Sequence, residues 1–284
     1  MYQGIYRGKA SHVADLEHVL QRARESNVES MIITGVTLES SVRALEYAKK
    51  YSLYSTCGCH PTHSKEFHEY KSGPDQYYKE LKELIRRDQQ DDKRIVAIGE
   101  CGLDYDRLEF CPKDIQQLYF DKQLQLSQEF DLPYFLHMRN TGNDFIEIIK
   151  KYKIRGVVHS FDGNVRDMQE LVKMGLFIGI NGCSLKTKEN LDVVKEIPVD
   201  KILIETDAPW CDIRPTHASH QYVTPPSYQL KKKEKFELGQ MVKSRNEPCM
   251  LYQILQVIAG VKGMDQDILK EQIYNNTISL FKIK

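Results

Sequence analysis

Forty basic and forty acidic residues in a chain of 284 leave no net charge, so no global field draws it to nucleic acid or to a membrane, and any grip on phosphate has to be local. The length suits a single α/β barrel, which needs about 250 residues, and one domain over 1–284 is expected. Seven scattered cysteines form no paired framework and no apolar run is long enough to span a bilayer. The expectation is a soluble intracellular protein of nucleus or cytoplasm, not secreted, with a monomer favoured.

In chain order, Val13, Leu16, Val19, Leu20 and Ala23 recur at helical spacing behind a cap at Ser11, so the chain opens with a helix. A strand at 30–34 follows, then a helix over 39–50 with Val42, Leu45, Tyr47 and Ala48 turned inward. The next strand, 53–57, ends at Gly58-Cys59-His60-Pro61, where Pro61 blocks any further ladder. His63 and His68 fall in a polar loop. After a helix over 75–87 comes the strand 94–99, whose apolar run Ile95-Val96-Ala97-Ile98 stops at Gly99 and hands over to Glu100.

A long helix over 113–130, with Leu118, Phe120, Leu124 and Leu126 among its apolar positions, leads to the strand 133–136, which ends in His137. A helix over 144–152 precedes the strand 156–158, ending in His159, and a helix over 165–174 precedes the strand 176–180, which carries no ligand at its end. A helix over 189–195, the strand 201–206 ending in Asp207, and helices over 248–261 and 266–281 complete the chain. Lys231-Lys232-Lys233-Glu234-Lys235 reads as a solvated loop. The alternation argues for parallel βα units. Seven strands are one short of a TIM-type (β/α)8 barrel of the metal-dependent hydrolase kind, and since a helix comes first, the absent strand is the first.

Four apolar runs therefore each deliver one metal-capable side chain at the carboxyl end, where such barrels keep their active sites. Singly, a histidine there is more often a core or loop residue than a ligand, and Asp207 before Ala208-Pro209 could be the N-cap of a following helix. Together they outweigh those readings. Glutamate is costly to bury unpaired, and a Glu, His, His, Asp set suits divalent ions, with a carboxylate bridging two of them.

With those residues in hand, the chain resembles the TatD family of metal-dependent deoxyribonucleases, more closely its eukaryotic branch, over nearly its whole length. The resemblance rests on Gly99-Glu100-Cys101-Gly102-Leu103-Asp104, Gly58-Cys59-His60-Pro61, Leu136-His137 with Arg139, Val158-His159-Ser160-Phe161-Asp162-Gly163, Glu205-Thr206-Asp207-Ala208-Pro209-Trp210 and Arg245-Asn246-Glu247-Pro248. Gly4-Ile5-Tyr6-Arg7-Gly8-Lys9 resembles the segment after the family's first strand. The resemblance implies that Glu100 bridges two divalent ions, that His137 and His159 ligate one and that Asp207 lies beside the other. It also implies that His60 grips the scissile phosphate, with Arg139 a lesser phosphate contact.

The reaction implied is hydrolysis of DNA phosphodiester bonds, at single strands or strand ends, with Asp207 accepting a proton from water. Oxygen-rich ligation favours Mg²⁺, with Mn²⁺ or Zn²⁺ as alternatives. Two departures from the family pattern stand out: the polar residues of a first strand are missing, and Met138 replaces a cysteine beside the ligand histidine. Two alternatives stay open. Related barrels hydrolyse small esters, amides, lactones or phosphotriesters, and a chain short of one strand could be an inactive isoform or scaffold.

Overall fold

The computed structural model describes residues 1–283. They fall into two compact units, Ser30–Gly179 with the residues from Tyr274 onward, and Met1–Glu29 with Ile180–Ile273. Strands β1 (Ile32–Ile33), β2 (Tyr54–Cys57), β3 (Ile95–Asp104), β4 (Tyr134–Arg139), β5 (Gly156–His159), β6 (Phe177–Ile180) and β7 (Ile202–Ile204) form one sheet in chain order. Neighbours from β1 to β6 pair in parallel. This is the α/β arrangement expected, with seven strands in the main sheet of the described residues. Ile5–Tyr6 and Lys9–Ala10 form a small antiparallel hairpin instead of joining that sheet.

Helices α1 (Leu16–Glu25), α2 (Leu38–Tyr51), α3 (Pro74–Gln90), α4 (Lys113–Leu124), α5 (Asp144–Ile149), α6 (Val165–Lys173), α7 (Lys188–Glu196), α8 (Leu251–Lys262) and α9 (Gln266–Phe281) alternate with the strands and close the chain. None among the described residues is long and apolar enough to cross a membrane.

β3 shows why the order of residues makes this fold. All ten of its residues are buried, as in a strand covered on both faces, and its run of Ile, Val and Ala has no polar alternation. The strand does not stop at Gly99 as expected. It continues to Asp104 through a register shift in which Gly99 faces Phe135, Cys101 faces Leu136, and Glu100 has no partner on β4. Glu100 is the extra residue of a bulge, a device that re-aims one side chain out of the ladder. Its N–H donates to the Gly35 carbonyl (2.9 Å).

Three other expectations are corrected. The buried stripe of α2 is Ser41, Ala44, Leu45 and Ala48, while Val42 and Tyr47 are exposed, because positions 41, 44, 45 and 48 are the ones in phase with a helical turn. α1 begins after Asp15 instead of Ser11, and Asp15 makes no side-chain cap because Arg245 holds its carboxylate. In α4 the helix ends at Leu124 and passes into a 3-10 turn, and Leu118 is exposed while Gln116 and Gln123 are fully buried. His63 and His68 lie in short helical turns, paired with Glu66 and the Tyr119 hydroxyl.

In the unit of Met1–Glu29 and Ile180–Ile273, α1 is tied to the segment before α8 by a fully buried ionic network. Arg245 donates to both Asp15 oxygens (2.7 and 2.5 Å) and to Glu247, and Arg22 donates to Glu247 at 2.8 and 3.1 Å. Two cations and two anions balance there, which buried charges require.

Candidate metal centre

Three neighbouring strands and one strand-end turn bring three of the singled-out imidazoles onto one carboxylate. Oε1 of Glu100 lies 2.7 Å from His159 Nε2, 2.8 Å from His137 Nδ1 and 3.3 Å from His60 Nε2. All four residues are buried. His137 and His159 face each other because β4 and β5 pair in register, His137 opposite His159, and His137 is also opposite Gly102 of β3. That contact demands glycine: a Cβ at Gly102, where φ is +150°, would fall 1.9 Å from the His137 carbonyl oxygen.

Two buried glutamines of α4, one at each end of a two-turn spacing, fix the remaining parts. Gln123 accepts from the Cys59 N–H (2.8 Å) and donates to the Cys59 carbonyl (3.0 Å), pinning the backbone just before His60. Gln116 does the same for Asp104, accepting from its N–H (2.7 Å) and donating to its carbonyl (2.8 Å). Asp104, the last residue of the Gly99–Asp104 motif, has no role among the expectations from the sequence. Its Oδ2 lies 3.2 Å from His137 Nε2, on the opposite side of the ring from Glu100. Positions 100, 102 and 104 alternate, which would put Asp104 on the face of Glu100, but only once the strand is known to run past Gly99.

Electrostatics follow from this packing. Burial alone would raise the Glu100 carboxyl, but the facing imidazoles of His159 and His60 and hydrogen bonds from His137 and His159 outweigh it and hold it well below the ordinary carboxylate value. For Asp104 burial also pushes upward and is outweighed by His137, so its carboxyl is lowered. Burial pushes His60 down to about 3, against the pull of Glu100, so its ring is neutral at pH 7. The Thr62 N–H donates to His60 Nδ1 (3.2 Å), which makes Nδ1 the acceptor and leaves the proton on Nε2, facing Glu100.

Two buried three-donor sets result, Glu100 with His137 and His159, and His60 with Asp104 and His137, each with its ligand atoms within 4.8 Å of one another. Mixed imidazole and carboxylate donors at that spacing fit a divalent ion. The two sets share the His137 ring, drawing on different sides of it. Arg139 ends β4, with Nε 3.3 Å from Asp162 Oδ2 but not aligned for a hydrogen bond.

Asp207 belongs to the other unit, after β7, and is exposed. No helix begins there, so the N-cap reading falls. Instead φ is +52° and the residue opens a tight turn in which the Trp210 N–H donates to the Asp207 carbonyl (2.9 Å). Asn246 holds both ends of that turn, its side-chain amide donating to the Thr206 carbonyl (2.9 Å) and its backbone N–H to the Pro209 carbonyl (3.0 Å). The Cys211 sulfur lies 3.3 Å from Asp207 Oδ2 and 2.7 Å from the sulfur of Cys183.

Comparison with known proteins places this geometry in a family. The model of "TatD related DNase" matches residues 9–282. The chain is 44% identical to "Deoxyribonuclease Tat-D" of Schizosaccharomyces pombe, over 99% of this chain and 91% of that protein. It is 35% identical to "3'-5' ssDNA/RNA exonuclease TatD" of Erwinia tasmaniensis, over 99% of this chain and 98% of that one. The crystal structure of an uncharacterized amidohydrolase from Saccharomyces cerevisiae superposes with a TM-score of 0.94 at 34% identity, covering 99% and 96% of the two chains. A match of this extent, over a chain whose strands carry this buried cluster, shows that the protein belongs to the TatD-related DNase family.

Proposed function

We propose that this protein is a metal-dependent deoxyribonuclease that hydrolyses DNA phosphodiester bonds, working inward from the ends of single strands. The observation that carries the reading is the buried Glu100 carboxylate oxygen with three imidazole nitrogens within 3.3 Å. So many donors around one anion suit divalent cations better than they suit a packed core. The names of the fission-yeast and Erwinia relatives support the substrate class and the exonucleolytic mode. The family match from 9 to 282 runs through both compact units, which supports one catalytic domain over 1–284.

We assign Glu100, His137 and His159 as the residues that would hold one divalent ion, and on the family resemblance Glu100 and Asp207 as residues that would serve a second. Mg²⁺ is favoured by the carboxylate share, with Mn²⁺ and Zn²⁺ as the competing ions. Divalent ions so bound supply neutralisation of phosphate charge and acidify water at neutral pH. His60, neutral and carrying its proton on Nε2, is suited to donate a hydrogen bond to a phosphate oxygen as charge develops there. Asp207, exposed to water, accepts the proton that the attacking water gives up. Arg139 adds a cation for a flanking phosphate.

The test is release of nucleotides from single-stranded DNA with Mg²⁺, with Mn²⁺ and after chelation, beside turnover of small carboxylic esters and lactones. Metal-dependent nucleotide release without ester turnover is expected. Turnover of the small esters with no action on DNA would overturn the nuclease reading in favour of the second class of hydrolase.

A further inference from the structure

The chain has one tryptophan, Trp210, and it is 59% exposed. Exposed apolar side chains are ordinary on a protein surface, and Val13 and Phe110 are as bare as this one. What separates Trp210 is the backbone under it. It stands between two residues in the left-handed region, Asp207 at φ +52° and Cys211 at φ +56°. Its own N–H closes the turn on Asp207, Asn246 anchors the carbonyls of Thr206 and Pro209, and the Cys211 carbonyl packs on Gly182 so closely that a Cβ there would come within 2.0 Å of it. The indole makes no ring contact and no hydrogen bond among the described residues. A large aromatic is thus held out to solvent on a turn that is itself tied down, three residues from Asp207.

The neighbouring segments carry cations. The Ala218 N–H donates to the Lys186 carbonyl (2.8 Å), which laces the stretch after Asn181 to the stretch after Cys211. Lys186 and Arg214 are both exposed. Their charges reach His217, which burial lowers first and these two cations lower further. Arg214 is partly engaged by Asp212 at 3.4 Å. Asp207 and Asp212 lie in the same stretch, so the charge near the indole is mixed in sign, with Lys186 and Arg214 as its two exposed cations.

We propose that Trp210 is a stacking platform for a nucleobase of the substrate strand, with Lys186 and Arg214 contacting the adjoining phosphates. This rests on the nuclease reading and deepens it. Every base presents a π-face, so such a platform binds without reading sequence, and the faces are available only where strands are unpaired. The device would therefore select single strands and frayed ends over duplex.

Because Trp210 is the sole tryptophan, its fluorescence reports the contact directly. The Mg²⁺-loaded protein is titrated with a short phosphorothioate oligothymidylate and with an abasic phosphorothioate oligomer of equal length. The thymidylate quenches the emission and the abasic oligomer does not. In steady-state assays with phosphodiester substrates, Trp210→Ala raises KM for single-stranded thymidylate roughly 5- to 100-fold, the loss of one base–aromatic stack. It leaves kcat and the KM for an abasic phosphodiester oligomer of equal length unchanged, and Trp210→Tyr restores most of the loss. Equal quenching by both oligomers, absent quenching, or an unchanged KM in Trp210→Ala overturns the proposal. Failure of the wild-type protein to cleave any DNA sinks the nuclease reading instead, and the quenching experiment still decides whether the indole meets a base.

Discussion

Glu100 and Asp207 are both acids at the ends of apolar runs, yet the molecule holds them by opposite means. Glu100 is buried in a bulge of β3, with its charge maintained by His60, His137 and His159. Asp207 is exposed on a turn, with its backbone fixed by Asn246. The first arrangement makes a rigid donor that is expensive to leave unpartnered. The second makes a solvent-exposed group on a backbone held in place by hydrogen bonds to the Thr206 and Pro209 carbonyls. Under the proposed assignment, the first treatment suits a ligand shared between ions, and the second suits a group that also exchanges a proton with water.

Breaking the strand-borne side of that contrast gives the largest expected effect. Glu100→Ala lowers kcat/KM for single-stranded DNA by about 10³-fold or more while thermal unfolding stays cooperative. Activity within about tenfold of the parent would remove Glu100 from the centre. On the loop side, Arg245→Met leaves Asp15 and Glu247 with only Arg22 between them and costs about 3–5 kcal/mol in urea unfolding. A loss under about 1 kcal/mol would mean that the network does not anchor the 245–247 segment.

His60→Ala sharpens the strand side. It lowers kcat by about 10²-fold with metal affinity essentially unchanged in calorimetry, because its Nε2–H serves phosphate; a matching collapse of metal binding would make it a ligand. The smallest effect belongs to Asn246→Ala. Loss of its bond to the Thr206 carbonyl costs about 1–2 kcal/mol of stability. It also slows turnover while metal binding by Glu100, His137 and His159, read by calorimetry, is retained. Parent-like turnover would show that the Asp207 turn holds its shape unaided.

Strand positions were legible because parallel strands covered on both faces are continuous apolar runs, and Ile95-Val96-Ala97-Ile98 could hardly be anything else. Glu100, His137, His159 and His60 were legible for the same reason, as polar residues where such runs break. The sequence concealed what depends on a neighbour. That β3 continues past Gly99 is decided by its pairing with β4, which local propensity does not contain. Asp104 stayed hidden for that reason, since its place opposite Glu100 on the His137 ring exists only if the strand goes on. Gln116 and Gln123 read as surface polar residues of a helix, and only the fold turns them inward to meet backbone that would otherwise go unpaired. Asp15 precedes α1 without capping it because its carboxylate is taken by Arg245, 230 residues away in the chain, a pairing that local spacing does not contain.

The close approach at Gly102 bears on how such a centre can change over generations. With a Cβ excluded by the His137 carbonyl, the spacing between β3 and β4 is set by main chain against main chain. A lineage cannot enlarge or shrink this pocket by trading side chains along the strand, as it can where packing residues set the gap. The inherited variation left to it is in the donors themselves and in the loops beyond the strands, so relatives with new substrates should keep the glycine and differ around it.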